Sequence, residues 1–250
     1  MIRVHGLQKR FGAQPVLRGL DLDIATGEIM VVIGRSGGGK SVLLKHLIGL
    51  LRPDAGTVVV DGVEITRLRG RDLDRVRDRY GVVFQGGALF DSMSVYDNVA
   101  FPLREKSLLA PGEVHDRVQE KLEQVGLAGM GPKNPAEISG GMRKRVAIAR
   151  ALVTEPEIVF FHEPTTGLDP ILVNTIHHLI VELHRKFRFT AVMVSHEIPE
   201  IFEIADRVAI LHDGVIVEVG PPDAVRTSAN PVVQHFIRGE IEAVPAEPRR

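Results

Sequence analysis

The chain has 250 residues, of which 44% are hydrophobic and 25% are charged, and its formal net charge is −1. These values are ordinary for a globular protein with a sizeable core, and the balanced charge argues against nucleic acid as a partner. The sequence has no cysteine, which excludes disulfides and thiolate metal sites. It also has no apolar run of the roughly 18 residues that a membrane-spanning helix needs, so we expect any membrane role to depend on a partner protein.

Residues 1–26 predict two half-buried strands in a hairpin-like arrangement. Apolar and polar residues alternate over 2–5 and again over 20–24, as in strands with one face in water. Phe11 lies between these segments, next to a glycine. Its ring could stack on a base or pack against a turn, and its position alone leaves both roles open.

Residues 34–41 match the phosphate-binding loop pattern G-x-x-x-x-G-K-S. An apolar run over 28–33 predicts a buried strand before the loop, and residues 41–50 predict a mostly buried helix after it. This geometry exposes backbone N–H groups to an anion at a helix N-terminus. Lys40 would reach the β- and γ-phosphates, and the Ser41 hydroxyl would ligate Mg²⁺. The predicted phosphate site comprises Gly34, Arg35, Ser36, Gly37, Gly38, Gly39, Lys40, Ser41 and Val42.

The following segments extend a parallel nucleotide-binding core. An Asp-Gly pair between β-branched runs predicts a β-hairpin over 57–65, which would form an antiparallel flap. Residues 72–79 are rich in charge and predict an exposed helix. A second helix is expected over 171–187, and a closing hairpin over 208–217. Three apolar runs predict buried strands: residues 80–84, 157–161 and 190–195.

Polar residues follow each of these three runs. Gln85 follows the first, His162 and Glu163 follow the second, and His196 comes directly after the third. A polar residue at the carboxyl end of a parallel strand lies where open α/β sheets bind ligands, which is our interpretation of Gln85. An exposed loop amide is the alternative for this residue.

Residues 88–154 show helical patterns and no strand. Apolar residues at spacings of four, four and three predict an amphipathic helix over 114–125. Another helix is expected after Ser139, which is a plausible N-cap. Because its first turn contains two glycines and no acidic residue, this helix start is a second candidate anion site. The basic residues Arg143, Lys144 and Arg145 could add to the field, although a solvated helix face is their more usual role.

In order and spacing, these elements resemble the ATP-binding cassette (ABC) ATPase family. The resemblance covers nearly the whole chain, and the signature sequence is found essentially only in this family. The matching elements are the Walker A loop at 34–41, the Q-loop at Gln85, the signature at 138–142, the Walker-B-like strand ending at Glu163, the D-loop at 167–169 and the switch histidine His196.

The resemblance implies an α/β P-loop NTPase fold with a RecA-like core, an antiparallel β flap and an inserted helical subdomain. The ABC ATPase domain would span 1–238, with its core in 1–87 and 155–225. The helical subdomain would span about 88–154, and a C-terminal helix 222–238. Residues 239–250 are rich in Glu, Pro and Arg and are expected to form a flexible tail.

The resemblance also implies hydrolysis of ATP with Mg²⁺ as cofactor. Phe11 would stack on adenine, and Lys40 would neutralise the β- and γ-phosphates. Ser41 and Gln85 would contact Mg²⁺, and Glu163 would polarise the attacking water as general base or positioner.

The remaining roles implied by the resemblance involve the γ-phosphate and a second copy of the chain. His196 would contact the γ-phosphate and hold the water geometry. Ser139, Gly140 and Gly141 would close on the nucleotide held by the other subunit of a head-to-tail homodimer. Asp169 would link the two sites across the interface.

Residues 84–105 resemble, more narrowly, the ATPase subunits of Mla/MCE-type lipid transporters, which move phospholipid between bacterial membranes. This resemblance implies a peripheral subunit on the cytoplasmic face of the inner membrane, bound to a separate integral-membrane permease. An MCE-domain substrate-binding protein and a small STAS-domain regulator are further implied partners. The alternatives are the ATPase of an importer for another substrate, or an ATP-gated dimerising module with weak hydrolysis.

His162 departs from the family pattern, which has aspartate immediately before the catalytic glutamate. Mg²⁺ prefers oxygen ligands, so an imidazole is a poorer support for it. We expect ATP still to bind, because Lys40 and the loop amides remain, while Mg²⁺ affinity and turnover fall. Alternatively, a neutral His162 accepts a hydrogen bond from a Mg²⁺-bound water and little is lost.

Overall fold

The computed structural model describes residues 2–106 and 109–238. Within these residues, ten strands form two sheets. The strands are β1 (Ile2–Phe11), β2 (Gln14–Ile24), β3 (Ile29–Gly34), β4 (Ala55–Val60), β5 (Val63–Glu64), β6 (Tyr80–Val83), β7 (Ile158–His162), β8 (Thr190–Ser195), β9 (Arg207–His212) and β10 (Val215–Gly220). The helices are α1 (Lys40–Leu47), α2 (Gly70–Arg77), α3 (Val95–Lys106), α4 (Pro111–Gln124), α5 (Gly140–Leu152), α6 (Pro170–Phe187), α7 (Pro222–Arg226) and α8 (Pro231–Arg238).

The larger sheet has the strand order β10-β9-β3-β8-β7-β6. Its strands run parallel except β10, which pairs antiparallel with β9 at one edge. Strands β3 and β8 are buried at every residue, which explains the apolar residues 29–33 of β3 and 191–194 of β8. The predicted closing hairpin is β9 and β10, and the other predicted core strands are β3, β6, β7 and β8.

The smaller sheet is the antiparallel flap, with the order β2-β1-β4-β5. Its first hairpin pairs β1 with β2, so that Ile2 lies opposite Ile24, and its second pairs β4 with β5. Both predicted hairpins are therefore present. Alternate residues of the strands point inward, and the flap encloses one hydrophobic core together with α1 and one face of the larger sheet.

Helices α3, α4, α5 and α6 cover the opposite face of the larger sheet and enclose a second core. Residues of β3 alternate between the two: Val31 and Ile33 belong to the helical side, while Met30 and Val32 belong to the flap side. Helices α3 to α5 fall within 88–154, the range expected for the helical subdomain. No helix of the described residues is both long and apolar enough to cross a bilayer.

The prediction of a single C-terminal helix over 222–238 is wrong, because α7 and α8 are separate helices. The Ser228 hydroxyl accepts a hydrogen bond from the Asn230 N–H at 3.1 Å, and Asn230 Oδ1 accepts one from the Val232 N–H at 3.0 Å. These bonds cap a new helix start, and Pro231 could not continue a preceding helix. The tail predicted over 239–250 lies outside the described residues.

Candidate nucleotide site

The candidate site lies where four neighbouring parallel strands end. In the larger sheet β3, β8, β7 and β6 are adjacent in that order. The phosphate loop follows β3, His196 follows β8, His162 ends β7 just before Glu163, and Gln85 lies two residues after β6. Strand order thus brings these predicted site residues to one edge of the sheet, where open α/β folds bind ligands.

Two glycines shape the phosphate loop. Gly39 precedes α1 with a φ of 101°, which residues with a side chain rarely adopt, and a Cβ there would lie 3.2 Å from Leu17 Cδ2 in β2. A Cβ on Gly34 would lie 2.3 Å from the carbonyl oxygen of Leu211 in β9. The loop is therefore packed closely between the flap and the larger sheet, directly before the N-terminus of α1.

Lys40 begins α1 and is almost fully buried. Its ammonium donates hydrogen bonds to the carbonyl oxygens of Gly34 at 2.7 Å and Arg35 at 3.0 Å. Burial lowers the pKa of this ammonium, and the carboxylate of Glu163 acts in the opposite direction. Phosphate oxygens are stronger acceptors than neutral carbonyls because they carry charge, so a nucleotide could take over these hydrogen bonds.

The Ser41 hydroxyl and Nε2 of His162 are 2.6 Å apart and form a hydrogen bond. Burial lowers the pKa of His162, so its ring is neutral at pH 7. A neutral imidazole has one acceptor nitrogen, whereas a carboxylate has two acceptor oxygens. When Ser41 donates to Nε2, the serine lone pairs can face a cation, but His162 has no second acceptor for a metal-bound water.

The donor set at this edge fits Mg²⁺ in part. Ser41 and Gln85 carry the oxygen atoms that Mg²⁺ prefers, while His162 offers only nitrogen. Residues 2–106 and 109–238 contain no group of three or more His, Cys, Asp or Glu side chains that could hold a metal ion. A Mg²⁺ ion would therefore take most of its ligands from water and nucleotide phosphates, as is usual in nucleotide sites.

Glu163 and His196 lie together, with 3.4 Å between Glu163 Oε1 and His196 Nδ1. Glu163 has a φ of 47°, a left-handed conformation that persists in side-chain-bearing residues only where the surroundings hold it. Its N–H donates to the Val194 carbonyl at 3.0 Å, and Thr166 Oγ1 donates to Glu163 Oε2 at 3.1 Å. A carboxylate held in this way can orient a water molecule and accept its proton.

Phe11 ends β1 with 49% of its surface exposed. The Lys9 ammonium lies 5.7 Å from the ring centroid, within the range of a cation–π contact. The flap that carries Phe11 adjoins the phosphate loop, because Gly39 packs against Val16 and Leu17 of β2. An aromatic residue that packs against a turn would be buried. The exposed ring of Phe11 therefore favours the other role, stacking on a base.

Ser139 caps α5 as predicted, since its hydroxyl accepts a hydrogen bond from a first-turn N–H at 3.2 Å. The signature glycines lie beside α6. A Cβ on Gly140 would be 3.8 Å from Leu168, and a Cβ on Gly141 would be 3.4 Å from Leu172. Apart from Arg143 of α5 itself, whose Nη2 would be 3.7 Å from a Cβ on Gly140, these neighbours come from the D-loop and α6 of the same chain, and not from its phosphate loop.

Asp169 caps the N-terminus of α6. Its Oδ1 accepts hydrogen bonds from the N–H groups of Ile171 at 3.1 Å and Leu172 at 3.0 Å. Asp169 is exposed, and Ile171 is 79% exposed, although it is a large apolar residue. The start of α6 therefore presents a carboxylate and an apolar side chain side by side at the surface.

Comparison with known families matches residues 17–166 to the ABC transporter family. This range is more than half of the chain and includes the phosphate loop, Gln85, Ser139 and Glu163. The chain belongs to the ABC transporter family. It is an ABC ATPase, which confirms the activity class expected from the sequence.

Two bacterial proteins are similar to this ABC ATPase over most of its length. The probable ribonucleotide transport ATP-binding protein mkl of Mycobacterium leprae is 44% identical over 238 residues, which cover 95% of this chain and 69% of that protein. The chain spans about two thirds of the length of the mkl proteins that it matches. The intermembrane phospholipid transport system ATP-binding protein MlaF of Haemophilus influenzae is 40% identical over 240 residues, covering 96% of this chain and 91% of that protein.

A solved ABC cassette has the same fold. It is a dimeric ATP-binding cassette in a post-hydrolysis state, bound to ADP and Pi. It matches this chain with a TM-score of 0.81 at 29% identity, covering 89% of this chain and 99% of the other. The ABC-type P-loop fold predicted from the sequence is thereby confirmed.

Two basic residues of α5 hold the Q-loop of this ABC ATPase, and the sequence pattern did not predict either contact. The prediction that Lys144 lies on a solvated helix face is wrong. Lys144 is buried and donates a hydrogen bond to the Gln85 carbonyl oxygen. Arg150 donates to the carbonyl oxygens of Gly87 at 2.6 Å and Ala88 at 2.7 Å. The helical periodicity of 3.6 residues could have indicated that Lys144 is buried, because it places Lys144 on the same face of α5 as the buried apolar residues.

Proposed function

We propose that this ABC ATPase is the ATP-hydrolysing subunit of a transporter that moves phospholipid between bacterial membranes through a separate permease. The observation that carries this proposal is the similarity to the Haemophilus influenzae MlaF protein over nearly the whole length of both chains. Phe84 and Phe90, each 41% exposed, flank the Q-loop. They offer apolar surface beside Gln85, and we propose that the permease contacts it.

The chemistry that the site supports is in-line attack of water on the γ-phosphate of ATP. Phe11 would stack on adenine, and Lys40 would bind the β- and γ-phosphates. Glu163 would orient the water and accept its proton, while His196, held beside Glu163, would contact the γ-phosphate. The water oxygen bonds to phosphorus as the bond to the β-phosphate oxygen breaks, which yields ADP and phosphate.

We propose that two copies of the chain form a head-to-tail dimer with two ATP molecules between them. Ser139, Gly140 and Gly141 would reach the γ-phosphate of the nucleotide held by the other copy. Two observations support this: within one chain the signature glycines lie beside α6, and the solved cassette of the same fold is a dimer. Asp169 and the exposed Ile171 would lie at this interface.

We propose Mg²⁺ as the cofactor, with Ser41 and Gln85 as its protein contacts. The chemistry that Mg²⁺ would supply there is positive charge that offsets the negative charge of the phosphates. His162 holds Ser41 but brings no negative charge, so Mg²⁺ affinity and turnover would be lower than with aspartate at this position. The milder alternative, in which His162 accepts from a Mg²⁺-bound water, would require the other tautomer of the ring, in which Nε2–H donates to the Ser41 hydroxyl and Nδ1 is the acceptor.

The proposed transporter places the ATPase on the cytoplasmic face of the inner membrane, bound to an integral-membrane permease. An MCE-domain substrate-binding protein and a small STAS-domain regulator complete the proposed assembly. Support for these partners comes from the resemblance of residues 84–105 to Mla/MCE-type ATPase subunits.

Ribonucleotide transport is the second candidate function, because the Mycobacterium leprae relative with that name is 44% identical. Purification of the complex from native membranes, with proteins and bound small molecules identified by mass spectrometry, separates the two. Phospholipid transport predicts a permease, an MCE-domain protein and bound phospholipid. A periplasmic binding protein for a small polar solute, with no bound lipid, would contradict the proposal.

The third candidate, an ATP-gated dimerising module, depends on His162. Steady-state phosphate release by the purified complex tests it. A rate well above that of a Glu163→Gln variant supports a working ATPase. A rate equal to that of the variant favours the module.

A further inference from the structure

The loops that carry Glu163 and His196 are joined at a second point. Thr165, two residues after Glu163, donates its hydroxyl hydrogen to Oε2 of Glu197, the residue after His196. We propose that Glu197 is a positioning residue for ATP hydrolysis, and that its hydrogen bond with Thr165 keeps His196 beside Glu163. This inference rests on the roles proposed above for Glu163 and His196.

The two loops begin on paired strands. Strands β7 and β8 are parallel neighbours, with His162 opposite Val194. The Glu163 N–H donates to the Val194 carbonyl at 3.0 Å, which fixes the point where the loops leave the sheet. The bond between Thr165 and Glu197 then fixes a second point further along. His196 lies between these two points, so its backbone is constrained on both sides.

The His196 side chain needs this constraint because little packs around it. About half of it is exposed (49%), and its Nδ1 lies 3.4 Å from Glu163 Oε1. Thr165, in contrast, is buried, and the Glu197 side chain is largely buried. The Glu197 N–H also donates to Ser195 Oγ at 3.1 Å, which tightens the turn around His196. The direction of the exposed ring is therefore set by its two neighbours in the chain.

A second neighbour of Glu197, His177 of α6, does not hold the carboxylate. Its Nε2 lies 3.7 Å from Glu197 Oε2, beyond hydrogen-bond distance, and neither ring nitrogen has a hydrogen-bond partner in the described part of the chain. Burial lowers the pKa of His177 to about 4, so the ring is uncharged at neutral pH. Thr165, which donates to a charged acceptor, makes the stronger contact.

The proposal predicts that breaking this bond slows hydrolysis without weakening ATP binding. Among the residues that the structure describes, the side-chain hydrogen bonds of Thr165 and Glu197 do not reach the phosphate loop or Phe11. A displacement of His196 by about 1 Å is enough to reduce catalysis by one to two orders of magnitude, because the attacking geometry is lost. The expected change is therefore in kcat and not in KM.

The test compares variants of the purified full-length chain in its transporter complex. We expect Thr165→Val, which is isosteric, to lower kcat about tenfold with KM for ATP within about twofold. Thr165→Ser, which keeps the hydroxyl, should restore most of the rate. Glu197→Ala probes the same bond from the other side. The double variant should be no slower than the slower single variant, since both remove one interaction.

Two controls separate positioning from general damage. Thr175→Val removes a hydroxyl that donates to the Ile171 carbonyl of its own helix, at 2.8 Å, and should leave kcat unchanged. His177→Leu changes the other neighbour of Glu197 and should also leave kcat unchanged. If His177→Leu lowers kcat as much as Thr165→Val does, the positioning bond has been assigned to the wrong partner.

Glu163→Gln and His196→Ala distinguish failure of this inference from failure of the proposed function. If both are inactive while Thr165→Val and Glu197→Ala turn over at the wild-type rate, the positioning role is overturned and the catalytic roles stand. If Glu163→Gln and His196→Ala keep the wild-type rate, the proposed roles fail and the inference fails with them.

Discussion

Ser41 and His162 are joined by a 2.6 Å hydrogen bond between the serine hydroxyl and the ring nitrogen Nε2. The bond ties the first turn of α1 to the end of β7. A carboxylate at this position could make the same bond with one oxygen and keep a second oxygen and a negative charge for the metal side. His162 therefore keeps the hydrogen bond to Ser41 but lacks the second acceptor atom and the negative charge that a carboxylate would offer to the metal.

His162→Asp should raise both Mg²⁺ affinity and turnover, on the order of tenfold, because it adds a charged acceptor beside the metal position. Mg²⁺ titrations of ATP hydrolysis and of fluorescent nucleotide binding measure the two effects separately. His178→Asp makes the same change at an exposed position on α6 and serves as the control. Equal Mg²⁺ dependence of the wild type and His162→Asp would contradict the prediction.

Lys144→Met should slow hydrolysis several-fold while leaving Mg²⁺-free ATP binding unchanged. The substitution fills the same volume but removes the hydrogen bond to the Gln85 carbonyl, which is worth about 1 kcal/mol or more for a charged donor. Lys121→Met is the matched control, because Lys121 is equally buried but lies 4.1 Å from the Phe187 ring. Equal hydrolysis rates for the two variants would show that Lys144 does not position the Q-loop.

Phe11→Ala should weaken ATP binding by roughly 5- to 150-fold, because stacking of a base on an aromatic ring contributes about 1–3 kcal/mol. Binding of inorganic triphosphate should not change, since it has no base. Equilibrium binding of both ligands to the wild type, Phe11→Ala and Phe11→Tyr makes the comparison. A parallel loss of triphosphate affinity would show that the substitution damages the phosphate loop instead.

His177 should make the protein less stable in acid. Burial lowers the pKa of this histidine to about 4, so the unfolded chain binds more protons than the folded chain between pH 4 and 6.5. The His177 contribution to the unfolding free energy is therefore complete above pH 6.5 and is lost as the pH falls towards 4. Between pH 7.5 and 5 the loss should be about 2 kcal/mol.

Urea unfolding of the wild type and His177→Leu at both pH values isolates this effect. Other buried histidines contribute to both proteins alike and cancel in the comparison. The wild type should lose more stability than His177→Leu by the amount above. An identical loss in the two proteins would mean that His177 titrates normally in the folded state.

The sequence predicts well what depends on local pattern. The phosphate loop is recognisable because its glycines, Lys40 and Ser41 are contiguous and lie between a strand and a helix. The buried strands are equally clear, since a parallel sheet covered on both faces requires uninterrupted apolar runs. Because ligands bind at the carboxyl ends of such strands, the end of the apolar run over 80–84 indicates Gln85 as a site residue, whereas the roles expected of Glu163 and His196 come from the family resemblance.

What the sequence does not predict are contacts between distant segments. Lys144 and Gln85 are 59 positions apart, and Thr165 and Glu197 are 32 apart, and the spacing of residues gives no signal for such pairs.

The break between α7 and α8 is of a different kind, because it has a local signal. Ser228 and Asn230 cap a new helix start, and Pro231 cannot continue the preceding helix. The prediction of one helix over 222–238 overlooks this short capping sequence.

Complementation between two inactive variants tests most directly the claim that two copies of the chain build each ATP site. Lys40→Ala removes the phosphate contact, and Ser139→Arg blocks the signature. In a head-to-tail dimer, one site of the mixed pair keeps Lys40 from one copy and Ser139 from the other. The second site carries both changes.

The two variants, each inactive alone, should recover roughly a quarter of the wild-type hydrolysis rate when coexpressed and purified together, because half of the dimers are mixed and each has one intact site. Lys40→Ala paired with the double variant has no intact phosphate loop and should stay inactive. A coexpressed mixture as inactive as its parents would contradict the shared site.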